Sequence, residues 1–305
     1  MEMWQLQQRQ SLPLAQKIVL SQQRIKQWYS HYQGDVYVSF SGGKDSTVLL
    51  HLVRQIYPKV PAVFIDTGLE YPEIREFVKT IDNVVWVKPK VNFRDVLDKY
   101  GFPIISKENA QKIAEIRNTS SEKLKEKRMY GDDKGNGKLA NKWRYVINAP
   151  FKVSDRCCHI MKKSPIKTYE HKTGNKPYVG TMAVDSSLRN TSYLQHGCNS
   201  FDGNRPMSTP IAFWRERDIW QYIDELELPY SKIYDMGYER TGCMFCMFGV
   251  HLEGQPNRFQ KMAITHPKQY DYCINKLGCG EVMNFIGVPY KEKVKIENHS
   301  FFNEE

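Results

Sequence analysis

No stretch of this 305-residue sequence approaches the roughly eighteen consecutive apolar residues that a membrane-crossing helix needs, so no membrane partner is expected. The opening MEMWQLQQRQ lacks an apolar core behind a basic start, which argues against a secretory leader and predicts a cytoplasmic protein. Internal repeats and low-complexity blocks are missing too. Acidic residues are in deficit, 34 Asp+Glu against 44 Lys+Arg, a formal charge of +10. That balance excludes few partners but favours polyanions: nucleotides, nucleic acid or an acidic protein. Cysteines number seven, an odd count in a large chain without a leader, which excludes a disulfide framework. What is present is ordinary for a globular protein: 41% hydrophobic, 12% aromatic and 26% charged residues, enough to bury a sizeable core.

The hydrophobic pattern alternates between two periods. Residues 15–32 carry Ile18, Ile25, Trp28, Tyr29 and Tyr32 near one helical face, with Gly34 just beyond. Val36-Tyr37-Val38-Ser39-Phe40 reads as a strand, Ser46–Ile56 as a helix, and Ala62-Val63-Phe64-Ile65 as a second strand. Pro72–Thr80 is again helical and Val84–Val87 is a third strand. Strand–helix alternation of this kind predicts an α/β fold, a doubly wound and mostly parallel Rossmann-like sheet. A further strand is expected at Pro177–Thr181 and a helix at 215–226. Three regions follow: an N-terminal helical segment over 1–34, the α/β domain over 35–250, and a helical C-terminal segment and tail over 251–305. Within the domain, a basic helical insert spans about 107–145, broken by the Gly/Asp/Asn loop 131–137. Residues 107–144 hold eleven Lys/Arg and six Asp/Glu, half of the net charge.

Ser41-Gly42-Gly43-Lys44-Asp45-Ser46-Thr47 joins the first strand to the next helix. Phosphate binding needs backbone N–H groups aimed at one point, with a helix N-terminus behind them. Gly42 and Gly43 allow close approach, Lys44 adds a point charge, and Ser46 and Thr47 offer hydroxyls. The Walker pattern G-x-x-x-x-G-K-[ST] is not met. An ordinary Gly-Gly connection with a solvated Lys-Asp is the plainer reading, and the strand-before, helix-after context favours phosphate.

SGGKDS resembles the PP-loop of the adenine nucleotide alpha hydrolase superfamily, whose members include ATP pyrophosphatases and sulfonucleotide reductases. Asp66-Thr67-Gly68-Leu69-Glu70-Tyr71-Pro72-Glu73 is similar to the second-strand segment of the APS/PAPS reductase branch, and it lies where a parallel sheet opens its crevice. Gly180-Thr181-Met182-Ala183-Val184-Asp185-Ser186-Ser187-Leu188-Arg189 resembles that branch's Gly-x-Arg-x-x-Glu-Ser-x-x-Arg, with Met182 where the family often has Arg and Asp185 in place of Glu. The aromatic stretch around Trp214 and Asp218–Ile223, then Gly237–Cys243, complete the match. The aromatics read as core and Asp218 as a helix-start acid. The resemblance covers residues 36–250. It implies an adenosine nucleotide (ATP, APS or PAPS) with Mg²⁺, bound by Ser41–Thr47, Asp66–Gly68, Gly180, Asp185 and Arg189, with Lys44, Asp45 and Asp66 carrying the chemistry.

Cys157-Cys158 and Cys243-x-x-Cys246 supply four thiols, the number a [4Fe–4S] cluster requires. Adjacent cysteines fit poorly into the compact tetrahedron of a zinc knuckle, so zinc is the alternative and buried metal-free thiols the third reading. The resemblance points to the cluster as well. The family's reductases also carry a nucleophilic cysteine in a C-terminal Glu-Cys-Gly-x-His tail, whereas this sequence ends IENHSFFNEE. Cys279, between Gly278 and Gly280, is the nearest substitute, against the plainer reading of a glycine-flanked turn residue that fills space. Cys198 and Cys273 read as filler. His159, His196, His251 and His266 are weak candidates, as are Arg240, Asn257 and Arg258 for a phosphate contact.

Three functions compete. One is an ATP-using PP-loop enzyme that adenylates an acceptor ahead of sulfur transfer, tRNA or DNA thiolation among the possibilities, with a sulfur or electron donor protein as partner. Another is an APS/PAPS reductase releasing sulfite. The last is a non-catalytic module binding nucleic acid through the basic 107–144 segment, whose bland alternative is a solvated helix face.

Overall fold

The computed structural model describes residues 2–203 and 205–291. The expectations for the tail from Glu292 onward therefore lie outside the described residues. Contacts divide the chain into two units, one of Met1–Lys90 with Met161–Gly242 and one of Val91–Ile160 with Cys243–Glu305.

The first unit opens with helices α1 (Met3–Ser11) and α2 (Leu14–His31). The expected face of α2 is fully buried at Ile25 and Trp28, while Ile18, Tyr29 and Tyr32 are half-buried and Leu14, Lys17 and Ser21 complete the buried stripe. Strand β1 (Val36–Ser39) runs into α3 (Lys44–Ile56), which begins two residues earlier than its hydrophobic pattern implied. The reason is local: Gly43 caps the helix with extended backbone, so Lys44 and Asp45 become its first turn. Strand β2 (Ala62–Ile65), α4 (Pro72–Lys79) and β3 (Val84–Val87) follow, with Pro72 starting α4 where its missing N–H costs nothing.

The second unit takes α5 (Phe93–Tyr100), the two-residue β4 (Ile104–Ile105), α6 (Lys107–Asn118) and α7 (Glu122–Tyr130). Asn92, Ser106 and Ser121 cap these three helices, each side-chain oxygen accepting an N–H three residues on. The basic insert is helical as expected. α7 has no fully buried residue, although Leu124, Lys125, Arg128 and Met129 are half-buried along one face.

The chain returns to the first unit with α8 (Ser164–Thr173), β5 (Lys176–Val179), α9 (Ser187–His196), β6 (Asn199–Ser200), β7 (Met207–Ser208) and α10 (Glu216–Glu225). The sheet order is β3-β2-β1-β5-β7-β6, parallel throughout except for the final β6–β7 pair. This is the mostly parallel, doubly wound α/β fold that the sequence predicts. Its central strands are buried on both faces, as crossover helices require: Tyr37, Val38, Val63, Phe64 and Tyr178 are 0–1% exposed.

Asp218 does more than cap. It accepts the Arg215 N–H at 2.7 Å and also pairs with Lys17 of α2, whose fully buried ammonium lies 2.6 Å away and donates to the Gln10 carbonyl as well. Trp214 Nε1 donates to Ser21 Oγ, which donates to the Pro210 carbonyl. The N-terminal helices are thus fastened by buried polar contacts within this unit. The second unit ends with β8 (Met247–Phe248), paired in parallel with β4, then α11 (Arg258–Thr265), α12 (Pro267–Asp271) and α13 (Cys279–Phe285).

Candidate nucleotide site and cysteine group

Three of the segments singled out above leave the carboxyl ends of adjacent parallel strands: Ser41–Thr47 after β1, Asp66–Gly68 after β2, and Gly180–Arg189 after β5. Connections from β1 run one way along the sheet to β2 and β3, while β5 lies on its other side. That reversal makes the β1/β5 boundary a topological switch point, where open α/β sheets form their ligand crevice.

The loop needs its glycines for space as much as for conformation. Gly42 has φ +73°, and a Cβ there would fall 2.8–2.9 Å from Val78 and Ile74. A Cβ on Gly43 would fall 2.6 Å from Thr241 Oγ1. The hydroxyls fasten the turn: Ser46 and Thr47 both donate to the Gly43 carbonyl, at 2.9 and 3.1 Å, and Ser41 Oγ accepts the Gly43 N–H at 3.3 Å. The Lys44 N–H, on the first residue of α3, donates to Tyr234 Oη at 2.8 Å.

Charge is concentrated at the same point. Lys44 is 6% exposed, with its ammonium 3.0 Å from Glu216 Oε1, 3.2 Å from the Glu239 carbonyl and 3.9 Å from Asp45 Oδ1. The Trp220 and Tyr234 rings flank it. Burial alone would lower the Lys44 pKa, but Asp45 and Glu216 together outweigh it and hold the ammonium above its ordinary value. Asp45 moves the other way from a normal carboxylate: burial raises its pKa, Lys44 opposes, and Asp185 and Glu216 raise it further. Its Oδ1 is buried without a hydrogen-bond partner. An orphaned carboxylate oxygen beside a glycine loop suits a hard cation such as Mg²⁺.

Asp66 is placed differently. Its buried carboxylate is engaged by Arg75 at 3.0 Å and by the Gly68 N–H at 3.3 Å. Thr67 and Glu70 brace the same turn, with Glu70 accepting both the Thr67 N–H and hydroxyl. Asp185 pairs with Arg189 one helical turn on and accepts the Met182 N–H at 3.1 Å. Gly180 lies against Asp45, where a Cβ would come 3.1 Å from the Asp45 carbonyl oxygen. Met182 is buried, and a cavity of about 210 Å³ is bounded by Thr181, Met182, Arg189, Tyr193, Cys198 and Thr209 among others.

In the second unit the Cys243-x-x-Cys246 turn closes through the Cys246 N–H to the Cys243 carbonyl at 3.1 Å. Burial pushes the Cys246 thiol up to about 11, and Cys243 and Cys158 add to the shift, so these three thiols share one electrostatic neighbourhood. Arg258 donates to the Cys246 carbonyl at 3.1 Å and pairs with Glu253. Asn257 caps α11. Among the described residues no three His, Cys, Asp or Glu side chains converge tightly enough for a single metal ion. Cys279 is fully buried and hydrogen-bonded to Cys273, whose thiol is held protonated by that bond and by burial.

Tyr234, Glu216 and Arg75 were not singled out in the sequence, and Thr241 stood only within the Gly237–Cys243 segment, with no role of its own. No spacing marks them: Tyr234 and Glu216 lie 190 and 172 positions from Lys44, and only the folded chain brings them to it. Arg75 carried a faint signal, at the end of the first turn of a helix that starts six residues after Asp66.

Residues 35–96 and 84–248 match the model of the phosphoadenosine phosphosulfate reductase domain. An uncharacterized protein of Methanocaldococcus jannaschii is 28% identical over 83% of this chain and 51% of its own length. The adenosine 5'-phosphosulfate reductases of Geobacillus kaustophilus and Staphylococcus epidermidis are 25% and 27% identical, over 72% and 73% of this chain and 75% and 74% of theirs. The chain thus spans about half the length of the first of these relatives. A phosphoadenylyl-sulfate reductase structure from Candida auris is 18% identical, covering 73% of this chain and 88% of that one with a TM-score of 0.44.

Proposed function

This chain belongs to the phosphoadenosine phosphosulfate reductase domain family, and we propose that it is an adenosine-nucleotide enzyme that uses ATP to adenylate an acceptor for sulfur transfer. One observation carries the reading. The segments after β1, β2 and β5 leave the strand ends around the switch point, with Asp45 Oδ1, which has no hydrogen-bond partner, 3.9 Å from the Lys44 ammonium.

In that reaction an acceptor oxygen attacks the α-phosphorus, the bond to the bridging oxygen breaks, and pyrophosphate departs with the electron pair. The loop needs no nucleophile of its own. The N-terminus of α3 and Lys44 stabilise charge on the departing pyrophosphate. Mg²⁺ held by Asp45 would add Lewis-acid stabilisation of the same oxygens. Asp66 acts through Arg75, fixing the turn after β2 rather than offering a vacant carboxylate. The donor set of Cys157, Cys158, Cys243 and Cys246 suits a [4Fe–4S] cluster, which would bind or deliver sulfur or position the acceptor. The wide exposure of α7 and of Tyr130 supports a nucleic acid, tRNA or DNA, as the acceptor bound by the basic segment. Part of that charge is already spent internally, since Lys112, Lys125, Lys127 and Arg128 pair with acids of the same segment.

Sulfonucleotide reduction is the second reading, favoured by the named reductases among the relatives. Reduction requires an exposed, mobile thiolate. Cys279 is fully buried, and Met182 offers no cationic anchor for a sulfate. Both facts favour ATP.

The deciding assay supplies anaerobically purified protein with ATP, APS or PAPS and a thiol reductant. AMP and pyrophosphate from ATP are expected, with water attacking the α-phosphorus in place of the acceptor, and Lys44→Ala with Asp45→Ala should remove at least about a hundredfold of that turnover. Sulfite from APS or PAPS, with no pyrophosphate from ATP, would overturn the adenylation reading in favour of the reductase.

A further inference from the structure

The glycine loop is closed by a segment of its own chain. An α-helix leaves its first N–H groups without intrahelical partners, and these are the donors a phosphate uses. Here the Lys44 N–H is taken by Tyr234 Oη at 2.8 Å. Thr241 Oγ1 lies 3.4 Å from that phenol oxygen and presses on Gly43 so closely that a Cβ there would be 2.6 Å away. The Lys44 ammonium is taken by the same segment, through the Glu239 carbonyl at 3.2 Å, and by Glu216 at 3.0 Å. The phenol ring is propped edge-on against Trp220 at 5.4 Å, so its hydroxyl is aimed rather than loosely placed. Residues 234–241 therefore hold both donors of Lys44, main-chain and side-chain.

Resting on the nucleotide-site reading, we propose that Tyr234 is a displaceable gate on the loop: a phosphate oxygen of the nucleotide takes the Lys44 N–H from the phenol, and the Tyr234–Thr241 segment moves aside. The exchange is favourable in direction. A phosphate oxygen is charged, a phenol oxygen is not, and charge-assisted bonds are roughly twice as strong as neutral ones. The positive end of the α3 dipole adds to the preference. Glu216 must yield Lys44 at the same time, since its carboxylate would repel the incoming anion.

Calorimetric titration of ATP and of inorganic pyrophosphate into the wild type and Tyr234→Phe tests the gate. Removing the phenol oxygen deletes the competitor, so the variant should bind pyrophosphate about fivefold more tightly, the factor one neutral hydrogen bond is worth. Unchanged or weaker binding would make Tyr234 a fixed part of the site and overturn the gate alone. No binding of either ligand to either protein would overturn the loop reading together with the gate. A measurement on the wild type guards against a misfolded variant: ATP should speed amide hydrogen exchange across residues 234–241. Slower or unaltered exchange there, with ATP bound, contradicts displacement.

Discussion

The glycine loop and the cysteine group differ in how far the backbone itself determines the site. At the loop, position follows from main-chain geometry: a strand end, a positive φ at Gly42 and a helix start at Lys44 aim the donors before any side chain is chosen. The cysteines are separated in sequence by 84 positions between Cys158 and Cys243, and what the fold supplies is proximity within one unit. The thiols of Cys158, Cys243 and Cys246 share a neighbourhood without forming a tight single-ion cage. Zinc needs four donors about 2.3 Å from one point, whereas a cubane spreads its thiolates over a larger box. A contiguous motif using backbone chemistry can thus be read residue by residue, while a dispersed ligand set can only be read as a set.

The strongest way to break that contrast is to damage one region and watch the other. Cys243→Ser should lose most of the iron from anaerobically reconstituted protein, read by metal analysis and by the visible absorption of the cluster. ATP binding at the loop should persist within about twofold, because the substitution touches none of the loop's donors. Iron retained at full stoichiometry would place the metal away from Cys243, and a matching loss of ATP binding would mean that the two sites are one.

How much of this was legible tracks the same distinction. Strand–helix alternation gave the parallel sheet, because strands covered by crossover helices leave short apolar runs that sequence preserves. The start of α3 was misplaced by two residues, since charged Lys44 and Asp45 carry no hydrophobic signal even though Gly43 ends the turn there. Helices α8 and α9 went unread because their polar faces dilute the periodicity, whereas α5, with Phe93, Val96 and Leu97 buried at helical spacing, carried a pattern short enough to pass unread. Within the site, Ser41–Thr47 and Asp66–Gly68 were readable as contiguous runs. The roles of Tyr234 and Glu216 were not, as both depend on contacts across more than 170 residues of chain.

The buried pair Lys17–Asp218 sharpens the comparison from the side of stability. Asp218 was legible as a helix-start acid, but its partner was not. Removing the lysine leaves a carboxylate, 4% exposed at its side chain, opposed only by the exposed Arg217 guanidinium at 3.7 Å. Lys17→Met should therefore destabilise the protein by about 3–5 kcal/mol, measured by chemical denaturation. Adding Asp218→Asn should recover part of the loss, because no buried charge then remains unpaired. A loss below about 1 kcal/mol would show that water reaches Asp218 and that this ion pair does little to hold the N-terminal helices.

A smaller effect concerns acid, and it distinguishes the nucleotide unit by one ring. His51 lies on α3, Nδ1 2.9 Å from Tyr222 Oη, and burial lowers its pKa. A lowered folded pKa means that the unfolded chain binds the proton first as pH falls. The stabilising contribution is therefore complete above the unfolded value of about 6.5 and is lost as pH drops through the lowered folded value. Thermal melting of the wild type should decline below about pH 6.5 more steeply than that of His51→Gln, whose amide cannot titrate. Parallel declines would assign the acid sensitivity to other groups. A steeper decline in the variant would reverse the sign and require that the His51 ring be protonated in the folded state, contrary to its half-buried position against Tyr222.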